Sequence, residues 1–411
     1  MIHLKNKNVT IIGAARSGLA AADLVMRLGG VAKISESRKE FSAPKGTVCE
    51  TGGHTKEFIQ DSDYVVLSPG VRIDAEVVGW AKQKQIEVMG EVEFAYRLCP
   101  CPIVAVTGSN GKTTTSTLIA EILKASGKNV CLCGNIGSPF ASHILDLKKT
   151  DIVVLEISSF QLESTSSFKP RVAVWLNFSQ NHLDRHKDLA EYFEAKKMIF
   201  KNQDEADFAI LNYEQEKFHS LAKNLKAKVL FFNDPQKPRD ITNPNYLAAM
   251  RAAEALGVPE NISWKVFKEF KGVEHRLELV RSLGGVDFIN DSKSTTDKAG
   301  HWALERIDKP MVVICGGSNK NINYMDLKPL VAQKVKYMIA IGQISQQIRE
   351  TFADVVTVEV SDSLVKAVEI AWQKASPGDC VILSPMTASF DMFKDYEHRG
   401  KMFKEIVAQL K

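Results

Sequence analysis

Short apolar runs recur along the chain, and each is followed by a polar turn and a longer stretch whose apolar residues have helical spacing. The clearest runs are residues 9–12, 64–67, 103–106, 152–155, 172–176, 311–315, 337–341 and 380–383. Runs of Val, Ile and Leu of this length are typical of parallel strands buried on both faces. Strands that alternate with helices in this rhythm predict an α/β protein built on open parallel sheets.

Two interruptions divide this rhythm. Pro100 and Pro102 disfavour helix and keep the chain extended before the strand that follows. The rhythm restarts near residues 271–276, and 411 residues are enough for two or three domains. We therefore predict three α/β domains: a Rossmann-like domain over residues 1–92, a P-loop-type parallel sheet over residues 93–273 and a second Rossmann-like domain over residues 274–411.

The turn after residues 103–107 has the composition of a phosphate-binding loop. Its residues are Gly108, Ser109, Asn110, Gly111, Lys112, Thr113 and Thr114. Backbone N–H groups and the positive end of the following helix attract an anion, the lysine adds a charge, and the Thr113 hydroxyl can ligate Mg²⁺. Val106 occupies the place of the first glycine in the general pattern, so an ordinary strand-to-helix turn is the alternative. The sequence predicts a nucleoside triphosphate site.

Two further side chains at predicted strand ends suggest a metal site. Glu156 closes an apolar strand, where a carboxylate is costly unless it is paired or bound to metal. His182 follows the next apolar strand, at the same edge of the sheet. Together with Thr113 they form a candidate site for a divalent metal, although Mg²⁺ prefers oxygen ligands to histidine. The alternatives are a surface strand end and a surface histidine.

Lys196 and Lys197 lie on a predicted amphipathic helix, with Tyr192, Phe193 and Ile199 on its apolar face. The spacing alone favours a solvated role for both lysines.

The first segment carries weaker signals of a nucleotide domain. Gly13 and Gly18 form a G-x-x-x-x-G turn that lacks the middle glycine of the dinucleotide fingerprint. An acidic residue, Glu36, follows about 20 residues later, where such folds place a ribose contact. Ser68 and Gly70 follow another predicted strand. These features predict a Rossmann-like domain of weak ligand specificity, and a purely structural α/β domain is the alternative.

Polar side chains also follow successive strands of the last segment. They are Asp291, Lys293, Thr295, Lys320 and Ser389. Such residues are commonly turn-formers and solvated lysines, but their position after strand ends is what an anionic-ligand site requires.

Composition and charge narrow the functional classes. The net charge of +4, from 53 basic and 49 acidic residues, indicates neither a nucleic-acid footprint nor a polybasic membrane patch. The first residues lack the apolar core of a signal peptide, and no apolar run is long enough to span a bilayer. The seven cysteines include two C-x-C pairs, Cys99/Cys101 and Cys131/Cys133, which fit neither a zinc ribbon nor a thioredoxin motif. We expect a cytoplasmic monomer with reduced thiols that binds no nucleic acid and inserts into no membrane.

Several motifs in one order carry a resemblance to a known family. They are residues 107–114, 134–137, 156–162, 182–185, 275–276, 290–293 and 383–400, of which 156–162 and 383–400 are the most discriminating. Over essentially its whole length the chain resembles the ATP-dependent Mur ligases of peptidoglycan synthesis. The resemblance implies a three-domain ligase that adds D-glutamate to UDP-N-acetylmuramoyl-L-alanine through an acyl phosphate.

The resemblance also implies roles for individual residues in substrate binding. The uridine and diphosphate contacts would be Arg16, Ser17, Glu36, Ser37 and Arg38. The rest of the diphosphate and sugar region would be held by Ser68, Gly70 and Asn135, and the acceptor carboxylate would lie near Ser158 and Gln161. The D-glutamate pocket would comprise Lys293, Thr295, Lys320, Ser389, Phe390 and Tyr396.

The implied catalytic groups surround the triphosphate. Lys112 would hold the terminal phosphate, and Thr113, Glu156 and His182 would place two Mg²⁺ ions. Lys196 matches a lysine that the family carbamylates with CO₂, which replaces the solvated role given by spacing alone. Further ATP contacts would be Asn245, Arg276 and Asp291.

The chain departs from the family pattern at Asn181, where an aspartate often precedes the histidine, and at Pro244, beside the ATP contact Asn245. Two other readings stay open: another amino-acid ligase of the family, similar to folylpolyglutamate synthase, and a nucleotide-binding regulator that ligates nothing.

Overall fold

A computed structural model of the chain describes residues 2–179, 186–237, 240–320 and 322–411. The chain divides into two compact units, Met1–Phe270 and Lys271–Lys411. The first unit contains two sheets and the second contains one.

The first sheet is parallel and begins at residue 8. Its strands are β1 (Asn8–Ile12), β2 (Val31–Glu36), β3 (Val48–Thr51), β4 (Tyr64–Leu67) and β5 (Glu87–Gly90), in the order β3-β2-β1-β4-β5. Its helices are α1 (Arg16–Arg27), α2 (Lys56–Ile59), α3 (Glu76–Gln83) and α4 (Glu91–Tyr96). The order reverses between β1 and β4, so the turns after these strands, which carry Gly13 and Ser68, lie side by side at the carboxyl edge.

The second sheet is also parallel and carries the predicted phosphate loop at its centre. Its strands are β6 (Ile103–Thr107), β7 (Val130–Gly134), β8 (Ile152–Glu156), β9 (Val172–Trp175), β10 (Phe208–Asn212) and β11 (Lys228–Phe232), in the order β11-β10-β9-β6-β8-β7. Its helices are α5 (Lys112–Ala125), α6 (Ser159–Leu162), α7 (Leu189–Lys197), α8 (Glu216–Ala222), α9 (Pro244–Ala255) and α10 (Glu260–Glu269). Short 3₁₀ helices span Phe140–His143 and Met198–Phe200. Strand β6 is buried throughout because helices cover both faces of the sheet.

The third sheet forms the core of the second unit. Its strands are β12 (Glu278–Leu283), β13 (Val286–Asn290), β14 (Met311–Gly316), β15 (Val335–Ile341), β16 (Val358–Ser361) and β17 (Cys380–Leu383), in the order β12-β13-β17-β14-β15-β16. The edge strand β12 is antiparallel to β13, and the other pairs are parallel. The helices are α11 (Asp297–Arg306), α12 (Lys328–Lys334), α13 (Ser345–Phe352), α14 (Leu364–Lys374) and α15 (Tyr396–Gln409), with a 3₁₀ turn at Met325–Leu327.

The α/β class predicted from the apolar runs is confirmed, and the antiparallel edge strand β12 is the addition that the pattern did not reveal. The three-domain division at residues 92 and 273 stays a prediction. Across the described parts of the chain, no helix combines the length and apolarity needed to cross a bilayer.

Helix α4 carries two buried carboxyl groups in opposite environments. Glu91 accepts a hydrogen bond from the Ala141 backbone N–H at 2.7 Å, and its second oxygen has no hydrogen-bond partner among the described residues. Burial raises the pKa of Glu91 to about 7. Glu93 accepts backbone N–H groups of residues 166, 167 and 168, each at 3.0 Å, and the Arg97 guanidinium at 2.7 Å. Burial opposes ionisation of Glu93, but these hydrogen bonds outweigh it and hold the pKa of Glu93 below its usual value.

We expect the Glu91→Gln variant to gain stability relative to the parent chain as pH rises. The pKa of Glu91 is higher in the folded chain than in the unfolded chain, so the folded state binds a proton that the unfolded state has released. The stability contributed by this proton falls as pH rises toward 7 and is absent above it. Between about pH 5.5 and about pH 8.5 this amounts to about 2 kcal/mol of unfolding free energy, which the variant would not lose. Urea unfolding at the two pH values measures the difference.

The Glu93→Gln variant is the matched control on the same helix. The pKa of Glu93 lies below this pH range in the unfolded chain and is lower still in the folded chain, so Glu93 is ionised in both states throughout the range. The Glu93→Gln variant should therefore be destabilised by the same amount at both pH values. Equal pH dependence in the Glu91→Gln variant and the parent chain would contradict the expectation.

Candidate active site

The turn between β6 and α5 has the backbone of a phosphate-binding loop. Gly108 has φ +159° and Gly111 has φ +82°, and a Cβ on Gly111 would lie 2.3 Å from Asn245 Oδ1. Gly111 therefore provides both a left-handed backbone and the room for Asn245 to approach. Helix α5 begins at Lys112, and its first turn carries no acidic residue that would compete with a bound anion.

Asn177, after β9, braces this loop. Its Oδ1 accepts the Asn110 backbone N–H at 2.9 Å, and its Nδ2 donates to Asn110 O at 3.1 Å. The Ser109 N–H donates to Asn177 O at 3.1 Å. Ser109 also donates its hydroxyl to Ser179 O at 3.0 Å. The loop is held by the neighbouring strand, a role for Asn177 that the sequence did not reveal because the partners are 67 residues apart.

Lys112 and Lys196 converge on the same carbonyl of the loop. Lys112 Nζ donates to Gly108 O at 2.9 Å and to Ser109 O at 3.1 Å. Lys196 Nζ donates to Gly108 O at 3.1 Å and to Thr107 Oγ1 at 3.2 Å. The side-chain nitrogens of two lysines therefore meet at the position where the loop would receive the anionic end of a nucleotide.

Lys196 is 1% exposed, so the solvated role that spacing alone favoured is wrong for this residue. Burial lowers the pKa of Lys196 well below its ordinary value, and the neighbouring charge of Lys112 adds to the effect. Lys197, the next residue on α7, does lie at the surface and pairs with Glu194 at 2.9 Å. The two lysines differ because α7 packs only one of them against the end of β6.

Glu156 lies at the end of β8, paired in register with Val106 of β6. It is 2% exposed, as its strand position predicted. One carboxylate oxygen accepts Asn135 Nδ2 at 2.8 Å, and the other has no hydrogen-bond partner among residues the structure describes. A buried oxygen of this kind requires a partner, and a cation is the partner that suits a carboxylate.

Of the other residues predicted to bind the triphosphate and metal, some lie at helix starts beside the loop and one lies outside the described residues. Thr113 is buried in the first turn of α5, and Thr114 follows it there. Asn245 lies in the first turn of α9, where Asn243 caps the helix and Pro244 occupies the first position, so the proline is accommodated without breaking the helix. His182 and Asn181 lie outside the described residues.

At the carboxyl edge of the first sheet, Glu36 is tied to the glycine turn. It accepts the Ala14 backbone N–H at 2.7 Å and the Arg38 backbone N–H at 3.0 Å. Burial would raise the pKa of Glu36, but hydrogen bonds from Arg38 and Ala14 lower it to about 2. Ser37 donates its hydroxyl to Glu36 at 3.2 Å. The carboxylate is thus ionised and anchored beside the predicted uridine site.

The two turns of this edge pack closely. Ser68 donates its hydroxyl to Gly13 O at 2.7 Å, and a Cβ on Gly18 would lie 2.0 Å from the same carbonyl. Glycine at position 18 therefore permits helix–turn contact. Gly70 lies in the turn after Ser68, and Ser17 is half-buried in the first turn of α1.

The first and second sheets of this unit meet at the predicted diphosphate region. Arg16 Nη2 donates to Gly137 O at 2.6 Å. The Asn135 backbone N–H donates to Glu156 O at 2.8 Å, so the loop of residues 134–137 connects Arg16 to the metal candidate. The predicted substrate contacts Ser158 and Gln161 form the capping box of α6, which fixes their side chains near Glu156.

In the second unit, Asp291 comes directly after β13. It accepts the Ser384 hydroxyl at 3.1 Å and the Leu277 backbone N–H at 3.2 Å. Burial raises the pKa of Asp291 to about 7, although these hydrogen bonds and the charge of Arg276 oppose the shift. Leu277 has φ +45°, so this approach to Asp291 requires an unfavourable backbone.

Arg399 of α15 joins the loops that carry the predicted amino-acid pocket. It is fully buried and donates to Ser292 O at 2.9 Å, next to Lys293 in the chain, and to Thr387 O at 3.3 Å, two residues before Ser389. Its Nη1 has no partner in the described residues. Burial lowers the pKa of Arg399 to about 9. The sequence did not single out Arg399, although it lies in the discriminating motif of residues 383–400.

The other pocket candidates lie around these loops. Partial desolvation, followed by the charge of Arg399, lowers the pKa of Lys320. Lys293 Nζ lies 5.8 Å from the centre of the Tyr396 ring. Ser389 is buried, Thr295 is half-buried, Phe390 is 73% exposed, and Arg276 stacks over Trp302. The structure therefore brings Lys293, Tyr396, Ser389 and Lys320 to the loops joined by Arg399, while Phe390 points to solvent.

Family comparisons match all three sheets. The chain matches the Mur ligase MurD-like N-terminal domain over residues 7–90, the Mur ligase middle domain over residues 106–266 and the Mur ligase glutamate ligase domain over residues 275–386.

Whole-chain relatives agree with these matches. A UDP-N-acetylmuramoylalanine–D-glutamate ligase of Thermoanaerobacter sp. (strain X514) is 37% identical over 100% of both chains. One from Pelotomaculum thermopropionicum is 38% identical over 98% of both chains. The crystal structure of UDP-N-acetylmuramate-alanine ligase MurC from Thermotoga maritima has the same fold, with a TM-score of 0.61, 16% identity and coverage of 99% of this chain and 100% of that one.

Proposed function

The chain belongs to the Mur ligase family, and on that premise we propose that it is an ATP-dependent ligase that joins D-glutamate to UDP-N-acetylmuramoyl-L-alanine. The choice of D-glutamate and of the acceptor rests on the names of relatives 37% and 38% identical to the whole chain. The observation that carries the chemistry is the buried, half-satisfied carboxylate of Glu156 on the strand next to the phosphate loop.

The proposed reaction has two steps. A carboxylate oxygen of the L-alanyl group attacks the γ-phosphorus of ATP, the bond to the ADP oxygen breaks, and an acyl phosphate forms. The amine of D-glutamate then attacks the acyl carbon, loses a proton, and inorganic phosphate leaves as the amide forms. Both attacking and attacked groups of the first step are anionic, so positioning and charge neutralisation supply most of the rate enhancement.

The phosphate loop supplies part of that neutralisation. Lys112 already lies over the loop, at 2.9 Å from Gly108 O, and its ammonium can exchange that carbonyl for a phosphate oxygen. Asn177 fixes the loop through the backbone of Ser109 and Asn110, and Gly111 leaves room for Asn245 beside the start of α5, so the loop keeps its shape for the β- and γ-phosphates.

The donor set suits magnesium. Glu156 offers a buried oxygen without a partner in the described chain, and Thr113 offers a buried hydroxyl in the first turn of α5. When bound, Mg²⁺ would neutralise the charges of the triphosphate and of the acceptor carboxylate. We propose two ions, held by Thr113, Glu156 and a carbamylated Lys196, with His182 as a further predicted ligand.

The environment of Lys196 favours carbamylation. A lowered pKa increases the fraction of the amine that is neutral, and only the neutral amine attacks CO₂. Conversion of the amine to a carbamate would place an anion beside the Lys112 ammonium and add oxygen ligands beside Glu156.

The other polar edges suit the remaining substrate groups. In the first unit, Arg16, Arg38 and the turn of Ser68 offer a cationic, hydrogen-bonding edge for a nucleoside diphosphate. In the second unit, Lys293 and Lys320 with the hydroxyls of Thr295 and Ser389 can meet two carboxylates, and Arg276 and Asp291 are proposed contacts for the nucleotide. This match between a dicarboxylate and two lysines agrees with the glutamate named for the relatives.

Phosphate release from ATP tests the proposal. We expect release only when D-glutamate and UDP-N-acetylmuramoyl-L-alanine are both present, with one amide formed per phosphate. L-glutamate in place of the D-isomer, and a folate in place of the acceptor, are the controls. Equal release without either substrate would favour a nucleotide-hydrolysing regulator, and release that depends on the folate would favour a folylpolyglutamate synthase-like ligase.

A further inference from the structure

A pair of thiols lies in the segment between α4 and β6, away from the groups assigned to ligation. Cys99 Sγ is 3.7 Å from Cys101 Sγ and 3.4 Å from Cys101 O. The segment is pinned at both ends: the Cys99 N–H donates to Tyr96 O at 3.1 Å, and the Val153 N–H donates to Pro102 O at 3.0 Å. The two sulfur atoms are therefore held side by side by the backbone on either side of them.

The pair lies at a surface cleft, and Cys99 is the more accessible of the two thiols. Cys99 is half-buried and Cys101 is 9% exposed, and both line a surface cleft of about 440 Å³ with Tyr96, Lys169 and Arg171. A hydrogen bond from the Cys101 thiol lowers the pKa of Cys99, against the effect of burial. Cys99 is thus the partner in which the thiolate, the reactive form of a thiol, is favoured.

We propose that Cys99 and Cys101 form a reversible intramolecular disulfide when the protein meets a peroxide. The Cys99 thiolate attacks a peroxide oxygen, the O–O bond breaks, and a sulfenic acid and one water form after proton transfer. The Cys101 sulfur then attacks the Cys99 sulfur, the S–O bond breaks, and a second water leaves. Two thiols lose two electrons in total, and the peroxide is reduced to two waters.

The distance to be covered is short. The sulfur atoms must move from 3.7 Å to the bonded separation of about 2.05 Å. The segment lies outside every strand, so this movement disrupts no sheet ladder. A ring that contains only one residue between its cysteines is strained, and strained disulfides are the more easily reduced ones. Reversibility therefore follows from the spacing.

The second C-x-C pair offers an internal comparison. Cys131 and Cys133 lie on β7 and pair in register with Val153 and Leu155. Residues two apart on an extended strand have Cα atoms about 6.6 Å apart, near the upper limit for a disulfide. Closing that bridge would pull β7 out of its ladder with β8, and Cys133 is fully buried. A hydrogen bond from Cys133 lowers the pKa of Cys131 to about 5, against the effect of burial, so the two pairs differ in whether the backbone lets the bridge close and not in whether a thiolate forms.

Peptide mapping of the full chain tests the proposal. The protein is treated with hydrogen peroxide, its free thiols are alkylated, and it is digested with trypsin without reduction. The two pairs then lie in different peptides, because residues 98–112 contain only the cysteines Cys99 and Cys101 and residues 129–148 contain only Cys131 and Cys133. We expect residues 98–112 to lose two hydrogens and both alkylation sites, and dithiothreitol to restore them. Residues 129–148 should acquire no disulfide.

Two conservative variants sharpen the result. The Cys101→Ser variant should form no disulfide in residues 98–112 and should keep Cys99 as a sulfenic acid that dimedone traps. The Cys133→Ser variant should form the disulfide between Cys99 and Cys101 as the parent chain does. Circular dichroism of both variants checks their fold. A peptide 98–112 that stays doubly alkylated after peroxide, or a disulfide that involves Cys131 or Cys133, overturns the proposal. The readout does not depend on ligase activity, so it is independent of the proposed function.

Discussion

Lys112→Ala is expected to lower turnover by about 10³-fold, because removal of a cation that contacts the transferring phosphoryl group loses stabilisation that is present only in the transition state. Lys112 Nζ lies over the loop at 2.9 Å from Gly108 O and 3.1 Å from Ser109 O, so its charge is held at the nucleotide end of β6. Phosphate release in the presence of all three substrates measures the loss. The KM for ATP should rise as well, because the same ammonium contributes to ground-state binding.

Lys124→Ala is the matched control for this experiment. Lys124 lies in the last turn of the same helix, at the surface, where it pairs with Glu121 at 2.9 Å. Loss of an exposed i,i+3 pair changes stability only slightly, so turnover should be unchanged. A Lys112→Ala variant that kept the activity of the Lys124→Ala variant would remove the phosphate loop from the proposed mechanism.

The phosphate loop was predictable because its signal is local. A buried strand, a glycine turn and a helix that begins with lysine and threonine follow one another in the sequence, and the structure has them as β6, Gly108 to Gly111, and α5. The burial of Glu156 was predictable for a similar reason, since a strand that is apolar on both faces is a central strand.

The supports of the site were not predictable, because they depend on contacts between distant parts of the chain. Asn177 braces Asn110 across 67 residues, and Arg399 reaches Ser292 across 107 residues. Neither has a local pattern that distinguishes it from an ordinary loop asparagine or a helical arginine. Lys196 shows the same limit: its neighbours on α7 have an amphipathic pattern, and only the packing of that helix against Thr107 and Gly108 buries the lysine.

For the first and third sheets, the sequence predicted which polar residues follow the strands but not the contacts that these residues make. The position of Glu36 about one βα unit after the glycine turn identified an acidic residue at the right edge. The sequence did not reveal that the carboxylate holds the Ala14 and Arg38 backbone N–H groups. In the third sheet, the polar residues after successive strands were found by position alone, while their arrangement depends on Arg399. The strand pattern predicts where polar side chains gather, and contacts between distant segments determine how those side chains are arranged.

Lys196→Ala is expected to reduce turnover by about 10²- to 10³-fold, with part of the activity restored by added formate or acetate. The substitution removes the proposed carbamate and leaves a buried space beside Thr107 and Gly108, where a small carboxylate can supply the missing anionic oxygens. Lys197→Ala is the matched control, because Lys197 is exposed, pairs only with its helix neighbour Glu194 among the described contacts, and should leave turnover unchanged.

A direct readout separates a carbamate from a merely structural lysine at position 196. In buffer with ¹³C-labelled bicarbonate, the parent chain and the Lys197→Ala variant should show a carbamate carbon resonance, and the Lys196→Ala variant should lack it. Only a neutral amine reacts with CO₂, and burial together with the charge of Lys112 lowers the pKa of Lys196, which favours reaction at this amine over the exposed amine of Lys197. Absence of the resonance from the parent chain, with no carboxylate rescue of a folded Lys196→Ala variant, would leave Lys196 as a lysine that holds the loop through Gly108 O and nothing more.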